Sequence, residues 1–428
     1  MKKSVFIYTY GCQMNLHDSE KIIGTLEQDG YRLASMPEMA DLIIFNTCAI
    51  REKAEHKFYS QLGRIKHLKK TNPLLKIAVA GCVAQDSRQK VMKRAPHVDF
   101  VVGPQNLHMI RNLLESKRNI HVEDNPDIAY QEYEMNRDSE TRAWVSIMYG
   151  CNNFCSYCIV PYTRGREVSR PSSSILVEIT ALKEKGYQEI TLLGQNVNSY
   201  RSDLDFVGLL REIDKIGVGR VRFVTSHPRD LSPALIDALA DLPSLCNHLH
   251  LPLQSGSDSV LQAMNRRYTY AEYCEKIELI RRKVLSISLS TDIIIGFPGE
   301  GENDFEQTVK AVEEIDFDGM FAFKYSRRKG TKAYDMPGQV PDNVKAERLK
   351  RLLSIQEDIA LKRNRALVGS VQEILIEGSS ETDSSMLMGR TRSNKIVTID
   401  NNGAPEGTVF NVRIDKARHH SLHGTKIS

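Results

Sequence analysis

Three cysteines stand close together in Gly150-Cys151-Asn152-Asn153-Phe154-Cys155-Ser156-Tyr157-Cys158, directly behind an apolar run, Ala143–Tyr149, that predicts a strand. A CxxxCxxC loop presents three thiolates on one tight turn. That suits three corners of a 4Fe-4S cube and leaves the fourth iron open to an outside ligand. A structural zinc site would want a fourth ligand, and the nearest histidines in sequence, His121 and His227, are both distant. Tyr157 adds an aromatic wall. Such a loop needs a scaffold that holds a strand end rigid and open.

The flanking sequence supplies one. After Ala143–Tyr149, strands are predicted over Glu189–Leu193, Val221–Thr225, His248–Gln254, Ser290–Gly296 and Met320–Ser326. Helical patterns fill the gaps: Ser173–Lys185, Phe206–Ile216, Pro233–Leu239, Tyr270–Val284 and Glu302–Ile315. Six βα units in a row predict a partial (β/α)6 barrel, with functional groups at the carboxyl ends of its strands. A helix from Val344 to about Leu367 trails it. Ahead of the loop, Val5–Tyr10, Leu42–Asn46, Ile77–Ala80 and Val98–Val102 alternate with helices beginning near Asp18, Arg51 and Ser87, the rhythm of an open, doubly wound parallel sheet. The polar stretch Glu123–Glu140 reads as a linker. Behind the barrel, Ser370–Glu377, Met386–Thr391, Lys395–Ile399 and Val409–Ile414 are short β runs, expected to close a small OB-like β-barrel. The expected fold class is therefore α/β with an appended β-barrel, divided as 1–125, 126–142 (linker), 143–365 and 366–428.

With 41% hydrophobic and 26% charged residues, 428 residues can bury several cores. A net charge of +4 leaves any nucleic-acid contact to local patches. No apolar run approaches the roughly 20 residues that span a bilayer. The start, Met1-Lys2-Lys3-Ser4 and Val5-Phe6-Ile7-Tyr8, reads as a first strand rather than a signal peptide. A cytoplasmic protein is expected, with no membrane partner. In that reducing compartment its eight cysteines are ligands or core residues rather than disulfides.

Cys12, Cys48 and Cys82 each end a hydrophobic run, just before a helix: Val5–Gly11, Leu42–Thr47 and Ile77–Gly81. In an open α/β sheet such ends share one edge, where ligand crevices form. Gly11 and Gly81 permit a sharp turn there. Two readings stand: a second three-thiolate cluster, or three small buried residues. Cys246 and Cys274 lie in no motif and read as structural.

The CxxxCxxC loop, with an aromatic before its third cysteine, resembles the radical S-adenosylmethionine (SAM) superfamily. Thr9–Asn15, Asn46-Thr47-Cys48-Ala49-Ile50-Arg51-Glu52-Lys53, Ala80–Gln85 and Cys158-Ile159-Val160-Pro161-Tyr162-Thr163-Arg164-Gly165 resemble the methylthiotransferases within it, over essentially the whole chain. The terminal barrel is similar to a TRAM domain. The resemblance implies two 4Fe-4S clusters, on Cys151, Cys155, Cys158 and on Cys12, Cys48, Cys82, together with SAM. It implies a radical made on the first cluster and a methylated sulfur carried on the second. The target implied is carbon 2 of N6-(dimethylallyl)adenosine beside the anticodon, in a tRNA anticodon stem-loop whose bases can splay out. An electron donor such as flavodoxin or ferredoxin and a monomeric enzyme complete the expectation. Rivals are a sibling methylthiotransferase acting on threonylcarbamoyl adenosine or a ribosomal-protein aspartate, and a non-catalytic iron–sulfur RNA-binding protein.

Around SAM, the expected contacts are Tyr157, Gln195 and Asn196 after the second barrel strand, Gln254 and Ser255 after the fourth, and Gly296 after the fifth. Arg164, Arg166 and Arg170 read either as a phosphate clamp or as a solvated charge run. Arg390, Arg392, Lys395 and the His419-His420 pair form a possible basic face on the terminal barrel. Lysines replace the family's usual prolines in Tyr325–Lys332, a loop that touches no expected ligand.

Overall fold

A computed structural model describes residues 3–49, 52–113, 118–381 and 383–427; Ile50 and Arg51 of the Asn46–Lys53 motif lie outside the described residues. The chain forms two compact units. One takes in Met1–Asp138, Met148–Phe154 and Cys158–Pro171, and the other Ser139–Ile147, Cys155–Tyr157 and Ser172–Ser428.

In the first unit six parallel strands lie in the order Arg32–Leu33, Ser4–Thr9, Leu42–Thr47, Lys76–Gly81, Phe100–Val102, Asn119–His121. Leu42–Thr47 is buried at every position, as a central strand covered on both faces must be. Its alternate side chains feed two cores, Ile43 and Phe45 with Phe58 and Val79, Leu42 and Ile44 with Ile22 and Leu26. The strand order reverses between Ser4–Thr9 and Leu42–Thr47, and that switch point opens a crevice at the carboxyl ends. Both edge strands escape sequence reading. Arg32–Leu33 is two exposed residues, and Asn119–His121 has one apolar side chain.

The helix Gln13–Gln28 starts five residues ahead of the expected Asp18, and it buries His17, Asp18, Glu20 and Lys21. The stretch expected to be a linker is part of the reason. A Cβ on Gly24 would stand 2.3 Å from the Glu134 carbonyl oxygen, and the Lys21 ammonium lies 5.2 Å from the Tyr133 ring and 5.1 Å from the Tyr149 ring. Its acidic composition pointed to solvent, but Tyr133 and the backbone at Glu134 pack on this helix.

In the second unit the barrel strands form two parallel triplets. Arg142–Ser146, Glu189–Leu193 and Arg220–Phe223 make one, His248–His250, Ser288–Ile295 and Gly319–Lys324 the other. An isolated bridge joins Val221 of the first triplet to Leu245, three residues ahead of the strand His248–His250. The fourth strand is shorter than expected because Pro252 has no N–H for the ladder and Gln254 turns to φ 75°. The helix Asp342–Arg365 follows. The terminal barrel closes through Val371–Ser379, Met386–Thr391, Ile396–Asp400, Leu422–Lys426 and Val409–Ala417 around Ile374, Ile376, Val397 and Val412. Leu422–Lys426, with one large apolar residue, carries too little β pattern to be read from sequence.

The β-turn of the terminal barrel sits against the amino-terminal end of the half-barrel. Arg222 donates to the Thr391 carbonyl at 2.7 Å and the Arg392 carbonyl at 2.9 Å, while Arg392 donates to the Gly219 and Leu245 carbonyls, both at 3.0 Å. Lys395 pairs with Asp318 at 2.9 Å.

Candidate iron–sulfur and cofactor site

In the first unit the three strand-end cysteines converge on the switch-point crevice. Cys12 follows Ser4–Thr9, Cys48 follows Leu42–Thr47, and Cys82 opens the helix Cys82–Ser87 after Lys76–Gly81. These three strands are neighbours in the sheet. Gly81, at φ 87°, leaves no room for a side chain, since a Cβ would lie 2.5 Å from the Thr47 carbonyl oxygen. A Cβ on Gly11 would meet the Cys48 Cβ at 2.5 Å. Two buried amides bind the turns together: Asn15 Nδ2 donates to Asn46 Oδ1 and to the Thr47 carbonyl, both at 3.1 Å, and Asn46 Nδ2 returns a bond to the Asn15 carbonyl at 2.7 Å.

A hydrogen bond with the Cys48 thiol holds the Cys12 thiol well below the ordinary range; burial opposes this, and the Arg164 guanidinium adds to it. Burial pushes the Cys82 thiol up, against the pull of the same guanidinium. Arg164 is itself buried and paired with Asp18 at 2.7 Å. It is therefore withdrawn from the phosphate clamp expected of it, while Arg166 stacks on Phe154, 4.2 Å from the ring centroid. Among the described residues no three His, Cys, Asp or Glu side chains close tightly enough for a single metal ion. A cube of irons and sulfides spaces its thiolates more widely than one ion does. Three thiol side chains on adjoining strand ends, with a cation behind them, fit such a cube.

The CxxxCxxC loop begins where Gly150 turns to φ 69°; a Cβ there would strike the Arg166 carbonyl oxygen at 2.0 Å. Cys151 N–H donates to the Gly165 carbonyl at 3.2 Å. In the second unit Ser156 anchors the loop, its N–H to the Met264 carbonyl at 2.9 Å and its hydroxyl to the Ala263 carbonyl at 2.7 Å. Tyr157 meets Phe297 edge to face at 6.5 Å, so the expected aromatic wall is part of a small core with Val260, Met264 and Ala333. Cys155 receives a buried guanidinium, Arg266 Nη1, at 3.5 Å.

The barrel strand ends carry a row of buried polar atoms with no protein partner among the described residues: both amide atoms of Gln195, Asn196 Oδ1, Ser226 Oγ, His227 Nε2 and Gln254 Oε1. Buried polar groups are rarely left so, and a run of them at the carboxyl ends is the chemistry of a polar ligand cradle. Gln195, Asn196 and Gln254 were expected there. Ser226 and His227 were missed, although Thr225-Ser226-His227 closes the third strand and Thr225, β-branched, is held at φ 67°. The Arg229 N–H donates to His227 Nδ1 at 3.2 Å, which puts the neutral ring's proton on Nε2. Burial, then nearby Arg266 and Arg229, push that ring down to about 2.

Ser255 and Gly296 are engaged within the protein. The Ser255 hydroxyl pairs with Thr308 Oγ1 at 3.2 Å and accepts from the Ser257 N–H at 3.2 Å, so it shapes the loop. Gly296 is bare because Lys345 packs on it, 2.3 Å from where a Cβ would be, and its N–H goes to Glu300 at 2.9 Å. Arg390 is taken by Glu377 at 2.9 Å, and Arg392 and Lys395 by the half-barrel. Of the expected basic face, His419 and His420 remain exposed. Cys246 is buried, and Cys274 is partly buried.

Residues 4–103 match the uncharacterized protein family UPF0004, residues 145–312 the radical SAM superfamily, and residues 365–427 the TRAM domain. A tRNA-2-methylthio-N(6)-dimethylallyladenosine synthase from Thermodesulfovibrio yellowstonii is 49% identical, covering 100% of this chain and 99% of its own. One of the same name from Carboxydothermus hydrogenoformans is 46% identical over 100% of both. Among solved structures, the radical S-adenosylmethionine methyltransferase TsrM from Kitasatospora setae shares the fold at a TM-score of 0.58 and 14% identity, over 78% of this chain and 75% of that one.

Proposed function

The chain belongs to the tRNA-2-methylthio-N(6)-dimethylallyladenosine synthases, and from that premise we propose that it places a methylthio group on carbon 2 of N6-(dimethylallyl)adenosine beside the anticodon, using two 4Fe-4S clusters. It is a radical SAM tRNA methylthiotransferase. In the proposal Cys151, Cys155 and Cys158 hold the cluster that binds SAM, and Cys12, Cys48 and Cys82 hold the cluster that carries the sulfur. The observation that carries this reading is the meeting of Cys12, Cys48 and Cys82 at one switch-point crevice, in a chain that already has a complete CxxxCxxC loop. Making a radical needs one cluster; supplying sulfur calls for the other.

A cluster held by Cys151, Cys155 and Cys158, with SAM bound and one electron from an external donor, would supply reductive cleavage of a sulfonium bond, the radical chemistry that an unactivated aromatic C–H demands. The protein's own groups bind and orient. The carbonyl oxygens of Gln195, Asn196 and Gln254 suit the ammonium and hydroxyl groups of SAM, while Gln195 Nε2 and the proton on His227 Nε2 suit its carboxylate. The neutral imidazole keeps that proton across the working pH range. In the crevice, Asn15 and Asn46 hold the Cys12 and Cys48 turns in register, and the Thr47 hydroxyl ties them to the Ala80 carbonyl ahead of Cys82.

Reductant and setting complete the proposal: a flavodoxin or ferredoxin as electron donor, a monomer, and the cytoplasm as compartment. No helix among the described residues is long and apolar enough to cross a membrane. The test compares prenylated and unprenylated anticodon stem-loops at one salt concentration, because phosphate contacts make affinity salt-dependent. Each buried methyl or methylene of the prenyl group contributes about 0.8 kcal/mol, so the unprenylated RNA should react slower by orders of magnitude. Equal turnover, or preference for a threonylcarbamoyl base, would overturn the substrate assignment.

A further inference from the structure

Arg266 is a buried cation with no carboxylate partner among the described residues. The residue is 5% exposed. Its Nε donates to the Tyr268 hydroxyl at 3.0 Å, its Nη2 to the Pro252 carbonyl at 3.0 Å, and its Nη1 points at Cys155 Sγ, 3.5 Å away. The groups that act on its charge are Tyr268, Tyr157 and Cys155; among the described residues no carboxylate lies within ion-pair distance. Burying an unpaired guanidinium is costly, and two neutral acceptors do not cancel its charge.

The backbone is bent to put it there. Asn265 and Arg267, on either side, both sit at φ 59°, in the left-handed region. Strain of this kind persists where the surroundings over-determine it, and it gathers at functional sites. Tyr268 is fixed in turn, its hydroxyl donating to the Leu253 carbonyl at 2.7 Å. Arg266 is thus held between the Pro252–Gln254 loop and the cysteine loop, with one N–H aimed at a sulfur.

We propose that Arg266 is the charge partner of the cluster on Cys151, Cys155 and Cys158, and that it raises that cluster's reduction potential. This rests on the assignment of a 4Fe-4S cluster to those cysteines. Three thiolates make the cube anionic, and the one electron it accepts from an external reductant makes it more so. Hydrogen bonds to the sulfurs and local charge set such potentials. A guanidinium N–H against the Cys155 thiolate favours the more negative, reduced form. Arg266 touches no reacting atom in this account; it is a positioning residue that acts through Cys155.

The experiment is a redox titration with dithionite, read by electron paramagnetic resonance, in a Cys12→Ala, Cys48→Ala, Cys82→Ala background so that one cluster remains. Arg266→Gln should keep its iron and lower the midpoint by at least a tenfold change in the reduced-to-oxidised ratio, about 59 mV for one electron. Arg266→Lys, which retains the charge, should shift it less. If the glutamine variant does not fold, Arg266→Met, of similar volume and without charge, is read in its place. An unchanged midpoint in the folded, iron-loaded neutral variant overturns the proposal. So does a lysine variant that shifts as far as the neutral one, which would make Arg266 a packing residue. A background protein that binds no iron overturns the cluster assignment itself, and is told apart by iron content before any titration.

Discussion

Each of the two cysteine sets has a buried arginine, and the two arginines are treated differently. In the first unit Arg164 lies beside Cys12 and Cys82 but is ion-paired with Asp18. Its charge is largely spoken for before any cluster arrives. In the second unit Arg266 meets Cys155, and its other hydrogen-bond acceptors among the described residues are a phenol and a carbonyl. A compensated cation gives an anionic cluster little electrostatic help; an uncompensated one gives it much. The difference follows the proposed division of labour. In that proposal one cluster takes up an electron on demand, and the other holds a sulfur.

Removing either cysteine set tests that division most severely. Cys151→Ala, Cys155→Ala, Cys158→Ala should abolish SAM cleavage and methylthio formation alike, while reconstituted protein drops from about eight irons to about four. Loss of all iron from the folded variant would mean the two sets are not independent. The converse variant, Cys12→Ala, Cys48→Ala, Cys82→Ala, should still release 5′-deoxyadenosine but yield no methylthio product. Product from that protein, with its first-unit cluster shown to be absent, would erase the comparison.

A smaller effect sharpens it. Asp18→Asn strips Arg164 of its carboxylate and makes the first-unit site resemble the second. Breaking a buried pair of this kind costs about 3–5 kcal/mol, so urea denaturation of the iron-free protein should show a clear loss. Cluster loading should restore part of it, because the cluster then serves as the counter-ion. If loading restores nothing, Arg164 does not sense the cluster.

The least effect belongs to His227, in the second unit. Its ring is pushed down to about 2, first by burial, whereas an unfolded histidine titrates near 6.5. The unfolded chain therefore takes up a proton that the folded one refuses. Stability is full above about pH 6.5 and falls as the pH drops toward the folded value. His227→Gln should flatten that acid limb in thermal melts between pH 7 and 5, and an unaltered slope would mean the ring is solvated.

Much of this was legible beforehand for a physical reason: the cysteines announce themselves by covalent spacing or by position at strand ends, and both survive in one dimension. Gln195, Asn196 and Gln254 were legible because barrel strands deliver side chains to one rim. Charge was the poor guide. Arg164, Arg390, Arg392 and Lys395 looked like hands for phosphate, yet each is engaged by a carboxylate or a backbone carbonyl. Sequence records a charge but not its depth. Arg266 and its strained neighbours carry no motif, and the acidic stretch before the barrel showed its net charge while hiding the contacts of Tyr133 and Glu134.

The turn between Met386–Thr391 and Ile396–Asp400 has a consequence for where such a chain can be cut. By accepting from Arg222 and donating through Arg392 and Lys395, it makes the TRAM barrel a keystone of the half-barrel rather than a passenger. Ending the chain near Leu367 would leave Arg222 with Glu189 as its remaining partner and remove Lys395 from Asp318, so a deletion meant to isolate the half-barrel would also loosen its amino-terminal end.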